Sequence, residues 1–305
     1  MNGVTTTPPA ATRSALPAWL RELRPHHWIK NTLVVIPLAA AHELRDVALL
    51  ERVGLAFVAF SLAASGLYVV NDLLDVEADR GHQSNATRPF AAGELTRPAA
   101  IALATAAWLG AGVVAAQLDP RFAGVVAAYV LLMIAYSLWL KRIVIVDALV
   151  LAAGYAARVG AGGIAVSIRP STWLIAFCVS VFFSLALVKR YSELARNRSR
   201  DGPSAHARGY EAVDLPMIAT FGVVSGYLAV LVLALYLTSG RTFSQLYSRP
   251  AFIGFTAMLL LYWISYIWLL ANRGRIPDDP VLFALRDRRS QVLFVLMGLC
   301  AFLAV

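Results

Sequence analysis

The sequence predicts an all-α polytopic membrane protein, a bundle of nine transmembrane helices with its polar mouth on the cytoplasmic side. Three observations predict it. Of 305 residues, 59% are hydrophobic and only 15% are charged, which fits a membrane domain rather than a soluble one. The apolar residues gather into nine stretches, about 28–44, 53–71, 98–117, 121–140, 143–166, 171–188, 214–238, 251–270 and 289–305. The substantial polar stretches, 72–97, 189–213 and 271–288, each follow an even-numbered apolar stretch and so share one side of the bilayer.

The chain opens with a Thr-, Pro- and Ala-rich start, and residues 1–20 are expected to form a disordered tail ahead of one transmembrane domain, 21–305. No long apolar stretch precedes Trp28, so a secretory signal is not expected. The first and last stretches have 17 residues each, the lower end for a span. Brief turns at Leu118-Asp119-Pro120 and Ser167-Ile168-Arg169-Pro170 join the third stretch to the fourth and the fifth to the sixth as antiparallel hairpins. With the N-terminus in the cytoplasm, most of the 27 Lys and Arg fall on the cytoplasmic side. Only Arg45, Arg52, Arg121, Arg169, Arg241 and Arg249 face the other way, and Arg158 lies within a span. This bias predicts a multi-pass protein of the cell membrane with its N-terminus inside, its C-terminus outside and an odd number of spans. The formal charge of +9 mainly reports those loops; no soluble basic domain exists to carry nucleic acid, which is not an expected partner. Cys178 and Cys300 fall in apolar segments and read as small core residues, and the five His show no metal-ligand spacing.

Asn71, Asp72, Asp75 and Asp79 arrive as the second stretch ends. Helical residues four apart are rotated about 40° and rise about 6 Å, so Asn71, Asp75 and Asp79 form a slanting row with Asp72 beside it. Oxygen donors without His or Cys suit Mg²⁺, which binds one or two carboxylates together with substrate phosphates. A solvated acidic helix end has the same composition, but charge on a membrane helix is costly and usually functional, which favours the metal. Arg88, between this row and Pro89, is expected to grip a phosphate, whereas Arg97 reads as a topology marker.

Three further constellations flank the apolar stretches. In Arg24-Pro25-His26-His27-Trp28-Ile29-Lys30-Asn31, Trp28 reads as an interfacial anchor, while Lys30 either snorkels to the headgroups or touches substrate. In Lys189-Arg190-Tyr191-Ser192-Glu193-Leu194, two adjacent cations and a tyrosine suit a diphosphate, although Lys189 and Glu193 also have the spacing of a helix-supporting pair. Asp278 or Asp279, before Pro280, suits a helix cap, with Arg286 and Asp287 on later turns. Arg158 lies roughly 16 Å deeper than Asp147 along the fifth span, a functional hypothesis by position.

Asn71-Asp72-x-x-Asp75-x-x-x-Asp79-Arg80, with Arg88-Pro89 and Gly93 after it, resembles the first aspartate-rich motif of the UbiA-type intramembrane prenyltransferases, nine-helix bundles with a cytoplasm-facing cavity. The resemblance covers residues 20 to 305. Arg24-Pro25-x-x-Trp28-x-Lys30-Asn31, Tyr155-x-x-Arg158-x-x-Ala161-Gly162-Gly163, Lys189-Arg190-Tyr191-x-Glu193-Leu194 and Ala284-Leu285-x-Asp287 are most similar to the decaprenyl-phosphate phosphoribosyltransferase branch. Many aromatic prenyltransferases of this fold carry a second pair of aspartates after the sixth span; this chain has Lys189 to Glu193 there, which fits the phosphoribosyl branch.

The resemblance implies Mg²⁺-dependent transfer of 5-phosphoribose from phosphoribosyl diphosphate to a polyprenyl phosphate, for cell-envelope glycolipid synthesis. Asn71, Asp72, Asp75 and Asp79 would hold the metal and diphosphate. Lys189, Arg190 and Arg88 would neutralise the leaving group. Lys30, Asn31, Tyr191, Glu193, Arg158, Arg286 and Asp287 would line the substrates. Membrane lipids surround such a protein, and a homo-oligomer is compatible with it. The alternatives are an aromatic prenyltransferase using a polyprenyl diphosphate, and a transporter of anionic metabolites, for which Arg158 is the best support.

Overall fold

The computed structural model describes residues 16–81, 86–198, 209–237, 248–249, 251–277 and 279–304. The described secondary structure is entirely helical. Of the tail expected over 1–20, residues 1–15 lie outside the described part, and the remainder already enters a one-turn helix, α1 (Ala18–Glu22).

Among the described residues, seven helices are long and apolar enough to cross a membrane. They are α3 (Val47–Leu74), α5 (Arg97–Ala115), α6 (Pro120–Leu138), α7 (Val146–Ala165), α8 (Thr172–Arg198), α9 (Leu215–Leu237) and α10 (Ala251–Asn272). Their starts follow local chemistry. The Asp46 carboxylate accepts the Leu49 N–H at 3.1 Å, and Thr96 Oγ1 accepts the Ala99 N–H at 3.4 Å. Asp119 accepts the Arg121 N–H at 2.7 Å, with Pro120 at the first helical position, where its missing N–H has no cost.

The two 17-residue stretches at the ends fall outside those seven helices. The first is not one α-helix but an eleven-residue 3₁₀ helix, Pro25–Val35, followed by the short α2 (Ile36–Ala40). The last is α12 (Arg288–Ala304), 17 residues, preceded by the seven-residue α11 (Pro280–Arg286). The acidic row also breaks: α3 stops at Leu74, and Asp75 links it to the one-turn α4 (Val76–Arg80).

Two apolar cores meet at α7. One, with Val34, Leu38, Phe60, Phe122 and Tyr129, gathers α3, α6, α2 and the 3₁₀ helix; the other, with Leu187, Ile218, Trp263 and Ile267, gathers α8, α9 and α10. Helix α7 supplies Ala148, Ala152 and Val159 to the second and Ala161 and Ala165 to the first. Small residues let helix backbones approach closely in an apolar medium, where packing replaces the hydrophobic drive. At Gly162 the approach is extreme: a Cβ there would collide with the Val34 carbonyl, so this glycine lets α7 press on the 3₁₀ helix.

Candidate functional site

The 3₁₀ helix organises the polar end of the bundle. With three residues per turn, side chains three apart stack on one face. Trp28, Asn31 and Val34 face inward: Trp28 Nε1 donates to Ser65 Oγ at 2.9 Å, Asn31 Nδ2 donates to Ser61 Oγ at 3.1 Å, and Val34 is fully buried. Arg24, His27 and Lys30 form the next row, while His26, Ile29 and Thr32 are exposed. The row of Arg24, His27 and Lys30 reaches two charged rims, with Tyr68 between them. The Arg24 guanidinium lies 5.3 Å over the Tyr68 ring, and His27 packs 5.3 Å from the same ring.

The first rim is acidic. Backbone bonds from Asp75 N to Asn71 O (2.9 Å) and Asp79 N to Asp75 O (2.8 Å) carry the helical spacing across the break. The side chains nevertheless divide. Asp72 is buried, ion-paired with Arg24 and 3.2 Å from Arg88. Arg88 also pairs with Asp79 at 2.5 Å, so one guanidinium bridges two carboxylates two helical turns apart. Asp75 instead receives Lys141 Nζ at 2.7 and 2.9 Å, and Asn71 Oδ1 accepts from Ser137 Oγ at 3.3 Å. Arg88 is held by a tight loop in which Ala92 N donates to Arg88 O (2.8 Å) and Gly93 takes a positive φ of 77° that a side chain would strain. Behind Asp72 sits Glu22, 1% exposed; burial, then the neighbouring Asp72 charge, push it up to about 7.

The second rim is basic. Lys30 pairs with Asp279, whose other oxygen accepts the Val281 and Leu282 N–H groups, both at 3.1 Å. Asp279 is therefore the cap of α11, as its place before Pro280 suggested; Asp278 lies outside the described residues. His27 Nδ1 is 4.0 Å from Asp279, yet burial and the Lys30 charge hold its pKa at about 3, so it stays neutral. Burial alone would raise the Asp279 carboxyl, but Lys30, the Leu282 N–H and Lys189 outweigh it and hold it below its ordinary value. Arg286 is exposed on α11 and close enough to His26 to disfavour its protonation, after burial and Arg24. Asp287 accepts the Ser290 N–H at 2.8 Å and starts α12.

Two buried networks stand apart from the rims. Arg190, 2% exposed, pairs with fully buried Asp147, with Glu193 at 2.5 Å and with Tyr136 Oη at 3.0 Å. Tyr210 closes the network by donating to Asp147 at 2.6 Å while its oxygen accepts the Ile145 N–H at 2.8 Å. Arg158, also buried, has no carboxylate partner among the described residues. It donates to Asn31 Oδ1, Gly154 O and Tyr129 Oη, each at 2.7 Å, and lies 4.7 Å from the Tyr129 ring centroid and 5.5 Å from that of Tyr155. Neutral acceptors and ring faces thus stabilise this buried cation.

The structure brings Asn71, Asp72, Asp75, Asp79 and Arg88 to one rim, and Lys30 and Arg286 to the other. It places Arg190 inside the packing and joins Asn31 to Arg158. Lys189 lies 3.9 Å from Glu193, and Tyr191 donates to Asn272 at 2.8 Å at the edge of a cavity of about 640 Å³ lined by Val213, Leu215 and Pro216. Among the described residues no three Asp, Glu, His or Cys converge as a cage for a metal ion. One or two carboxylates acting with substrate phosphates is how Mg²⁺ is usually held, and the all-oxygen donors here fit that mode. Sequence reasoning missed Glu22, Arg24, Lys141, Asp147 and Asp279 as partners. Arg24 and Lys141 read as topology markers, and only the three-residue spacing of Arg24, His27 and Lys30 signalled a shared face.

Comparison with known proteins identifies the family. The model of the UbiA prenyltransferase family matches residues 32–303. The chain is 35% identical over 281 residues to the uncharacterized protein y4nM of Sinorhizobium fredii, covering 92% of this chain but only 54% of that one, so it spans about half of that relative. It is 34% identical to the decaprenyl-phosphate phosphoribosyltransferase of Mycobacterium tuberculosis, over 95% of this chain and 94% of that one. A UbiA homologue from Archaeoglobus fulgidus bound to DMAPP and Mg²⁺ has the same fold, with a TM-score of 0.70 at 14% identity over 93% of this chain and 98% of that one. The chain belongs to the UbiA prenyltransferase family and is a membrane transferase of that superfamily.

Proposed function

We propose that the protein transfers 5-phosphoribose from phosphoribosyl diphosphate to a polyprenyl phosphate at the cytoplasmic face of the cell membrane. The observation that carries this reading is the end of α8, where Lys189, Arg190 and Glu193 stand in place of a second pair of aspartates. The likeness to decaprenyl-phosphate phosphoribosyltransferase supports it. In the reaction the bond from ribose C1 to the diphosphate oxygen breaks, and a lipid phosphate oxygen bonds to C1. The acceptor oxygen is already anionic, so no protein base is needed. Mg²⁺ bound among Asn71, Asp72, Asp75 and Asp79 would neutralise the departing diphosphate. Arg88 now bridges Asp72 and Asp79 and is placed to turn one guanidinium edge toward that charge. Lys141 holds an ammonium group beside Asp75.

The experiment is diphosphate release by the purified protein given Mg²⁺, phosphoribosyl diphosphate and polyprenyl phosphate. Asp75→Asn should lower turnover by about 10²–10³-fold while the protein stays folded, the scale of losing one preorganised electrostatic contact. Unchanged turnover would remove Asp75 from the site. A second reading, aromatic prenyl transfer, is favoured by the prenyl diphosphate bound to the Archaeoglobus fulgidus homologue. It wins if the protein consumes a polyprenyl diphosphate and an aromatic acid instead.

A further inference from the structure

We propose that Tyr210 is a positioning residue for Lys141: it clamps a strained turn at Ile145, and that turn fixes where the loop between α6 and α7 holds the Lys141 ammonium group against Asp75. The proposal deepens the function above and rests on it for what Lys141 does in the reaction, though not for how Lys141 is placed.

The strain sits at one residue. Ile145 has φ 67° and ψ −43°, and Val146 N donates to Val144 O at 2.8 Å. This is a γ-turn of the rare, strained kind. A β-branched residue at positive φ is an outlier, because its Cβ crowds the backbone. Such a conformation persists only where the surrounding structure over-determines it. Two contacts from the segment before α9 do so. Tyr210, 4% exposed, accepts the Ile145 N–H at 2.8 Å and donates to Asp147 at 2.6 Å, while Arg190 holds the other Asp147 oxygen. Gly209, at φ 82°, comes so close that a Cβ there would lie 3.0 Å from Val144 Cγ2 and 3.1 Å from the Arg142 carbonyl oxygen.

This grip reaches the acidic rim through a short run of backbone bonds. Asp147 N donates to Ile143 O at 3.1 Å, Ile143 N to Leu140 O at 3.2 Å and Arg142 N to Trp139 O at 3.0 Å. They bracket the 3₁₀ turn Leu140–Arg142, which carries Lys141. Lys141 Nζ then meets both Asp75 oxygens, at 2.7 and 2.9 Å. A lysine stem is flexible, so the direction of its charge depends on where the backbone releases it.

Crosslinking with a water-soluble carbodiimide reads this placement without turnover. The reagent activates a carboxylate, the lysine amine displaces it to form an amide, and the reagent leaves as its urea with the carboxylate oxygen. In the full-length protein in detergent, peptide mass spectrometry should find Lys141 joined to Asp75 and, as an internal control, Lys30 joined to Asp279. Tyr210→Phe should lower the Lys141–Asp75 yield severalfold and leave the Lys30–Asp279 yield largely unchanged, whereas a general loss of stability would lower both. Gly209→Ala pushes on the loop without touching the buried network and should act in the same way; it is the deciding variant if Tyr210→Phe does not fold. The proposal is overturned if the wild type forms no Lys141–Asp75 amide, or if in the deciding variant that yield holds or both yields fall together. If the crosslinks behave as described but the wild type releases no diphosphate from phosphoribosyl diphosphate, the function proposed above fails and the positioning stands.

Discussion

The two rims at the polar end are built from the same residue types in opposite proportion. Around Asp72, Asp75 and Asp79, each carboxylate has a cation: Arg24 and Arg88 for Asp72, Arg88 for Asp79, Lys141 for Asp75. Around Asp279 one carboxylate meets two cations, paired Lys30 and the more distant Lys189, with Arg286 near His26. The difference teaches what each rim would exchange. In the function proposed above, the acidic rim would exchange part of these cation contacts for a metal ion with phosphate. Arg190 belongs to neither, because it is 2% exposed and its guanidinium is taken up by fully buried Asp147 and by Glu193.

The largest effect should come from testing that exclusion. Arg190→Met leaves Asp147 buried without its cation and should cost about 3–5 kcal/mol of stability, read by thermal unfolding in detergent. A variant that melts like the wild type yet has lost activity would move Arg190 into the basic rim.

A smaller effect contrasts the rims by pH. Folded Glu22 keeps its proton to about 7, above the ordinary 4.5, so between these values the folded state holds a proton that the unfolded chain has released. In metal-free buffer stability should therefore fall as pH rises from 4.5 to 7, by on the order of 2 kcal/mol, and Glu22→Gln should abolish the slope. Asp279 has the opposite sign. Its folded pKa lies below 3.8, so its contribution is full above that value and disappears as pH falls through the lowered one. Melting temperatures of Glu22→Gln and Asp279→Asn across pH check both; slopes of the same sign would erase the contrast. The smallest effect is at Lys189, whose contact with Glu193 joins two side chains about one-third exposed. Lys189→Gln should change stability by no more than about 0.5 kcal/mol, while lowering donor affinity severalfold in a titration.

The seven long helices were legible in the sequence because 18 or more apolar residues with few charges have few other uses. The oxygen-rich rim was legible because Asn71, Asp72, Asp75 and Asp79 are close in sequence. The pairs that complete it were not, since Arg24–Asp72 and Lys141–Asp75 join residues far apart along the chain. Asp279 was read as a cap, which it is, but its second oxygen meets Lys30 through the fold alone. The form of the first segment was not legible, because apolar content does not reveal whether a helix repeats at 3.6 residues or at three.

That three-residue repeat has a consequence for how the gene can vary. Adding or deleting one codon between those for Pro25 and Val35 would turn every later side chain by a third of a circle. Asn31 would leave Arg158 and Ser61, Lys30 would leave Asp279, and an exposed side chain would be driven into the core. A change of three codons restores the facing of each row. It shifts the segment along its axis by about 6 Å, which the contact of Val34 with Gly162 does not tolerate. This stretch accepts substitutions on its outer face, at His26, Ile29 and Thr32, but not changes of length.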